Sequence, residues 1–182
     1  MNTTTELVKQ LFPGFDQADA AQIVKALAMV DEAKTRSSNV AGNIRPQGID
    51  VATVLMTAHI DLPTILASLL SDSRVVSCIS EADISQQFGP TVASLVKDVQ
   101  WLNKVSIYSP EMAIEPNQSE ILRRMLLAMT HDVRAVLIKL AYRIQRLRNL
   151  KIEEPAIQRF IARETLDIYA PLANRLGISQ FK

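Results

Sequence analysis

Residues 120–150, EILRRMLLAMTHDVRAVLIKLAYRIQRLRNL, decide the fold. Leu and Arg dominate them, residue types that lose little rotamer freedom in a helix. The stretch reads as parts of two helices, over about 118–130 and 132–150, with Asp132 as N-cap of the second. At about 100° per residue, Val133, Val136, Leu137, Leu140, Ile144 and Leu147 share one face, which predicts a core contact. Tyr142, Arg146 and Asn149 recur at helical spacing on a neighbouring stripe. That stripe carries a phenol, a guanidinium and an amide.

The same periodicity runs outward in both directions. Thr3–Leu11 reads as a short helix stopped by Pro13-Gly14, and Asp16 as the cap of a helix to about Arg36 with Ile23, Val24, Leu27 and Val30 on one face. Residues 37–48 are a polar loop. A helix over about Ile49–Ala58 follows, and Asp61-Leu62-Pro63 opens another to about Asp72. Ser80 caps the next, with an acidic residue three positions on, and Phe88-Gly89-Pro90 ends it and starts a helix to about Val105. Residues 106–117, with Pro110 and Pro116, read as a loop, and a last helix covers about 154–175, with Pro155 in its first turn. No strand or internal repeat is visible. The expectation is one all-α domain over residues 1–182.

Composition narrows the function classes. A chain of 182 residues with 48% hydrophobic content can bury a sizeable core. A single cysteine, Cys78, excludes an internal disulfide and fits a reducing cytoplasm. No apolar run reaches membrane-spanning length and the N-terminus lacks a signal-peptide pattern, so a cytoplasmic location without membrane contact is expected. The formal charge of +1 hides a split: residues 1–117 carry 8 basic and 13 acidic side chains, residues 118–182 carry 12 and 6. The basic half is either a set of solvated helix faces or a surface for a polyanion such as a nucleotide or a neighbouring domain. No basic run is interleaved with aromatics, which argues against a dedicated nucleic-acid module.

RRMLLAM, VLIKLA and ARETLDIYAPLANRLGI, all within residues 119–182, resemble the RelA/SpoT family of alarmone enzymes. The resemblance extends from about residue 20 to the end. Asp50–Leu70, DVATVLMTAHIDLPTILASLL, resembles the family's helix pair whose second member ends in a His-Asp motif, and Phe88-Gly89-Pro90-Thr91-Val92 its Phe-Gly turn. The fold implied is a helical HD-type phosphohydrolase. In the family, ETLDIYAPLANRLGI leads into the linker before the (p)ppGpp synthetase domain, so the chain reads as a domain excised from a longer synthetase.

The resemblance also implies a reaction and shows where this chain departs from it. Active hydrolases of the family hold one Mn²⁺ through an early His, the His-Asp pair and a later Asp in a Leu-Ala-Asp-Arg run. The metal activates water against the 3′-pyrophosphate of (p)ppGpp, and a Glu-Asp pair one turn past the His-Asp motif assists proton transfer. Carried over by position, the early His falls on Gln47, with Gly48 in place of the following Pro. The His-Asp pair falls on Ser71-Asp72, the Glu-Asp pair on Val75-Val76, and the later Asp on Tyr142. Only Asp72 survives, and a helix-end carboxylate can equally bind a backbone amide or an arginine. His59 and His131 fall outside the motif positions.

No catalytic residue, metal or cofactor is therefore expected, and the Mn²⁺ is expected to be lost. The function implied is that of an inactive (p)ppGpp hydrolase-like domain regulating the synthetase domain of the same chain. Its parent would be a RelA-type GTP pyrophosphokinase of the stringent response, reaching ribosome and tRNA only through other domains. The alternatives are an allosteric module binding (p)ppGpp or another guanine nucleotide, and an active metal-dependent hydrolase. For a nucleotide, Arg146 is the expected phosphate contact, with Lys139 or Arg143 assisting from the flank and Asn149 on the same stripe.

Overall fold

The computed structural model describes residues 2–36, 46–58, 60–104 and 131–178. Nine α-helices and no strand occur among them. In chain order they are α1 (Asn2–Leu11), α2 (Gln17–Arg36), α3 (Gly48–Met56), α4 (Leu62–Leu70), α5 (Glu81–Phe88), α6 (Pro90–Lys104), α7 (Val133–Arg148), α8 (Pro155–Glu164) and α9 (Ala170–Arg175). The expected loop over 106–117, the expected helix over 118–130 and His59 lie outside the described residues. None of the described helices is long and apolar enough to cross a membrane.

The caps form where short polar side chains precede apolar periodicity. Asp16 Oδ1 accepts from the Asp19 amide at 2.8 Å, Ser80 Oγ from the Asp83 amide at 3.0 Å, and Asp132 Oδ1 from the Arg134 amide at 2.9 Å. Gly89 closes α5 at φ +91°, a conformation open to glycine, and Pro90 starts α6.

Three expected boundaries move. α3 runs from Gly48 to Met56 rather than from Ile49 to Ala58. α4 stops at Leu70, so Ser71 is its C-cap and Asp72 stands outside the helix. The last helix is not uniform: Thr165–Tyr169 forms a π turn between α8 and α9. The Thr165 hydroxyl donates to the Ile161 carbonyl at 2.6 Å beside it.

One hydrophobic cluster joins α1 through α9, from Val8 and Phe12 to Leu172 and Ala173. α4 packs against α2, α3 and α6, and α7 lies across both α3 and α6. This double contact corrects the expected core face of α7. Val133 is 46% exposed, and Leu137, Ile144 and Leu147 are only half-buried. The buried set is Ala135, Val136, Ile138, Leu140, Ala141 and Arg143, whose small alanines allow helices on two sides to approach. A charged residue sits in that set.

Candidate functional site

The N-terminus of α3, the turn after α4, and helices α6, α7 and α8 enclose a cavity of about 230 Å³. Its wall includes Ser71, Asp72, Tyr142, Arg143, Arg146 and Glu164. Asp72 is 5% exposed, and both of its oxygens are engaged. Oδ1 accepts from the Arg74 amide at 3.0 Å and from Arg74 Nε at 2.9 Å. Oδ2 pairs with Arg74 Nη2 and accepts from the Gly48 amide at 3.0 Å. Burial by itself raises the pKa of Asp72, but the bonds from Arg74 and Gly48 outweigh it and hold the carboxyl below its ordinary value. The ionised form is the stable one here.

Gly48 reaches Asp72 because it has no side chain. A Cβ at this position would lie 2.7 Å from the Leu69 carbonyl oxygen and 2.9 Å from Leu69 Cα. The start of α3 therefore rests directly on the end of α4. Gln47, one residue earlier, is the exposed N-cap of α3, and its amide donates to Asp50 Oδ2 at 2.8 Å. Ser71 commits its hydroxyl to the Ala67 carbonyl at 2.6 Å, within the last turn of α4.

The structure brings Ser71, Asp72, Lys139, Tyr142, Arg143 and Arg146 to one cavity. Gln47, Val75 and Asn149 do not line it. Val75 is fully buried in the core, and Val76 begins a short 3₁₀ turn. Asn149 is the exposed C-cap of α7. His131 is 87% exposed at its side chain, with Nδ1 3.3 Å from Asp98 Oδ1, outside the cavity wall.

The cations are ordered differently from the expected arrangement. Arg143 is not a flanking residue: its side chain is 7% exposed, ion-paired through Nη2 with Glu164 and stacked 4.3 Å from the Tyr169 ring centroid. Its Nε and Nη1 are buried without a hydrogen-bond partner. Arg146 is engaged by a carboxylate: its Nη2 and Nε lie 3.2 and 3.3 Å from Glu153 Oε1. Lys139 donates to the Asn103 side chain and stands 5.6 Å from the Tyr142 ring centroid. Burial raises the pKa of Tyr169, the Glu164 carboxylate adds to this and Arg143 opposes it, so the phenol stays neutral.

Sequence reasoning missed Arg74, Glu164 and Tyr169 as parts of this site, and named Gly48 only as a departure from the family's Pro. Arg74 had a local signal, because an Asp accepts readily from the amide two residues on. The same Asp-x-Arg arrangement recurs at Asp132–Arg134. Glu164 and Tyr169 had none, since only the packing of the last helical run brings them to α7.

A Mn²⁺ ion needs several imidazole or carboxylate donors converging on one point. Among the described residues no cluster of three or more His, Cys, Asp or Glu could hold a metal. The cavity's carboxylates are Asp72 and Glu164, and each already carries a guanidinium. Tyr142 and Ser71 add only a phenol and a hydroxyl bound elsewhere. This donor set does not fit Mn²⁺.

A family profile described as an HD domain matches residues 20–179. The chain is 42% identical over 151 residues to a guanosine-3′,5′-bis(diphosphate) 3′-pyrophosphohydrolase of Vibrio cholerae, covering 83% of this chain and 21% of that protein. It is 39% identical over 155 residues to a GTP pyrophosphokinase of Myxococcus xanthus, covering 85% and 20%. To the bifunctional (p)ppGpp synthase/hydrolase SpoT of Escherichia coli it is 40% identical over 151 residues, covering 83% and 21%. The chain thus spans about a fifth of the length of these relatives.

Proposed function

The chain belongs to the HD domain family, and on that premise we propose that it is a catalytically inactive (p)ppGpp hydrolase-like domain regulating an adjoining synthetase domain. The parent in this reading is a GTP pyrophosphokinase, a type represented among its relatives. The observation that carries the reading is the state of Asp72. The one carboxylate left at a former ligand position is closed off by Arg74 and by the Gly48 amide. A proline at position 48, which the resemblance implies for active hydrolases, has no N–H to donate. Replacing it with glycine and replacing the metal ligands thus support the same conclusion.

The remaining chemistry points the same way. Val75 is buried among apolar side chains and can neither take a proton nor orient water. Tyr142, at the position of the later Asp, presents a phenol to the cavity.

For regulation, the relevant contact is the last helical run. Phe160, Glu164 and Tyr169 carry it to the cavity, and the resemblance places the synthetase linker after this run. A change at Arg143 is therefore felt in the segment nearest the partner domain. The test is deletion of residues 1–182 from the longer protein, with (p)ppGpp synthesis from ATP and GTP as readout. Synthesis unchanged in rate and in its response to activators sinks the regulatory reading. Stoichiometric Mn²⁺ with pyrophosphate release from ppGpp sinks the inactive one.

A further inference from the structure

Among the described residues, Arg143 alone leaves two buried side-chain N–H groups without a hydrogen-bond partner. Its side chain is 93% buried, yet Glu164 takes only Nη2, and the Tyr169 ring centroid stands 4.3 Å from the guanidinium carbon. Nε and Nη1 are left buried with no acceptor. An unsatisfied buried donor on a charged group is costly, and native proteins rarely retain two on one side chain. The group stands in the wall of a cavity that also holds Arg146 and Lys139. Arg74 lies just behind Asp72 and cancels its charge. The cavity interior therefore faces cations whose nearby carboxylates are already committed.

Size decides what such a cavity admits. Pockets for nucleotide- or drug-sized ligands run to about 300–1,000 Å³, and this one holds about 230 Å³. This volume is too small to enclose a whole guanosine tetraphosphate but large enough for orthophosphate or pyrophosphate. We propose that the cavity is a site for a small inorganic oxyanion of the phosphate class, with Arg143 as its deepest ligand and Arg146 and Lys139 at its rim. The guanidinium pivots about its Glu164 contact to turn Nη1 to the anion. Tyr142 and Asn103 supply neutral polar atoms in the same wall. The proposal rests on the reading that the cavity holds no metal, and it replaces a cation site with an anion site.

The test is calorimetric titration of the metal-free 182-residue chain with orthophosphate, pyrophosphate, guanosine tetraphosphate and guanosine at matched ionic strength. Pyrophosphate should bind at one site per chain, guanosine should give no heat, and the tetraphosphate should bind no tighter than pyrophosphate. No heat with either inorganic anion overturns the proposal, as does a tetraphosphate at least tenfold tighter than pyrophosphate, which would make the nucleoside the recognised part. Arg143→Gln should weaken pyrophosphate about tenfold or more; wild-type affinity overturns the assignment. If that variant does not fold, Tyr142→Glu carries the test by placing a carboxylate in the cavity. Binding that survives Tyr142→Glu overturns the site. Metal analysis of the same sample separates the two readings. One Mn²⁺ per chain removes the reading on which the site rests, whereas a metal-free chain without pyrophosphate heat removes the site alone.

Discussion

The Gly48 amide donates to Asp72 Oδ2 at 3.0 Å across a gap that admits no side chain. This bond joins the start of α3 to the turn after α4 and occupies the one carboxylate that the family resemblance sets on a ligand position.

Gly48→Ala should destabilise the fold by about 1–3 kcal/mol, the range for overpacking in a dense interior. The added Cβ meets the Leu69 carbonyl oxygen at 2.7 Å and Leu69 Cα at 2.9 Å, backbone atoms that cannot step aside. Urea denaturation measures it. A midpoint within error of wild type would show that α3 lifts from α4 without cost.

Asp72→Asn should cost about 3 kcal/mol or more at neutral pH, because it leaves the Arg74 guanidinium buried beside a neutral amide. The folded-state pKa of Asp72 is lowered from its ordinary 3.8. Its stabilisation is therefore complete above pH 3.8 and is lost as pH falls through the folded value. The gap between wild type and variant should narrow toward pH 2–3. A gap of constant size from pH 7 to pH 3 would contradict the ion-pair account.

Restoring single ligands should not restore hydrolysis. Tyr142→Asp and Ser71→His, alone or together, leave Asp72 held by Arg74 and leave valine at 75 and 76. Metal ligands act jointly, and the proton-transfer pair is still missing. Pyrophosphate release from ppGpp with added Mn²⁺ is the assay. Clear turnover by either single variant would show that the ligand register is misread.

Glu153→Gln should raise the affinity of the cavity for pyrophosphate several-fold. Glu153 stands 3.2 Å from Arg146 Nη2 and competes with any anion for that guanidinium. Arg146→Ala should act in the opposite sense, by about tenfold. Titration of the two variants beside wild type decides it, and equal affinities would place Arg146 outside the site.

The sequence by itself determined the all-helical class, most helix starts and the family. Capping by Asp16, Ser80 and Asp132 and the glycine turn at Gly89 are local effects, set within three or four residues. The residue types at Gln47, Ser71, Val75, Val76 and Tyr142, which the resemblance sets on ligand and proton-transfer positions, were also legible, because residue type alone shows whether a side chain can bind a metal or a proton. Tertiary structure decided the rest. It moved the buried face of α7 toward Ala135, Ile138 and Ala141, since two helices rather than one cover it. It gave Asp72 to Arg74 and Arg146 to Glu153. It buried Arg143 against Glu164 and Tyr169, residues 21 and 26 positions later. Helical periodicity records which way a side chain points on its own helix. The partner it meets there depends on where another helix comes to rest.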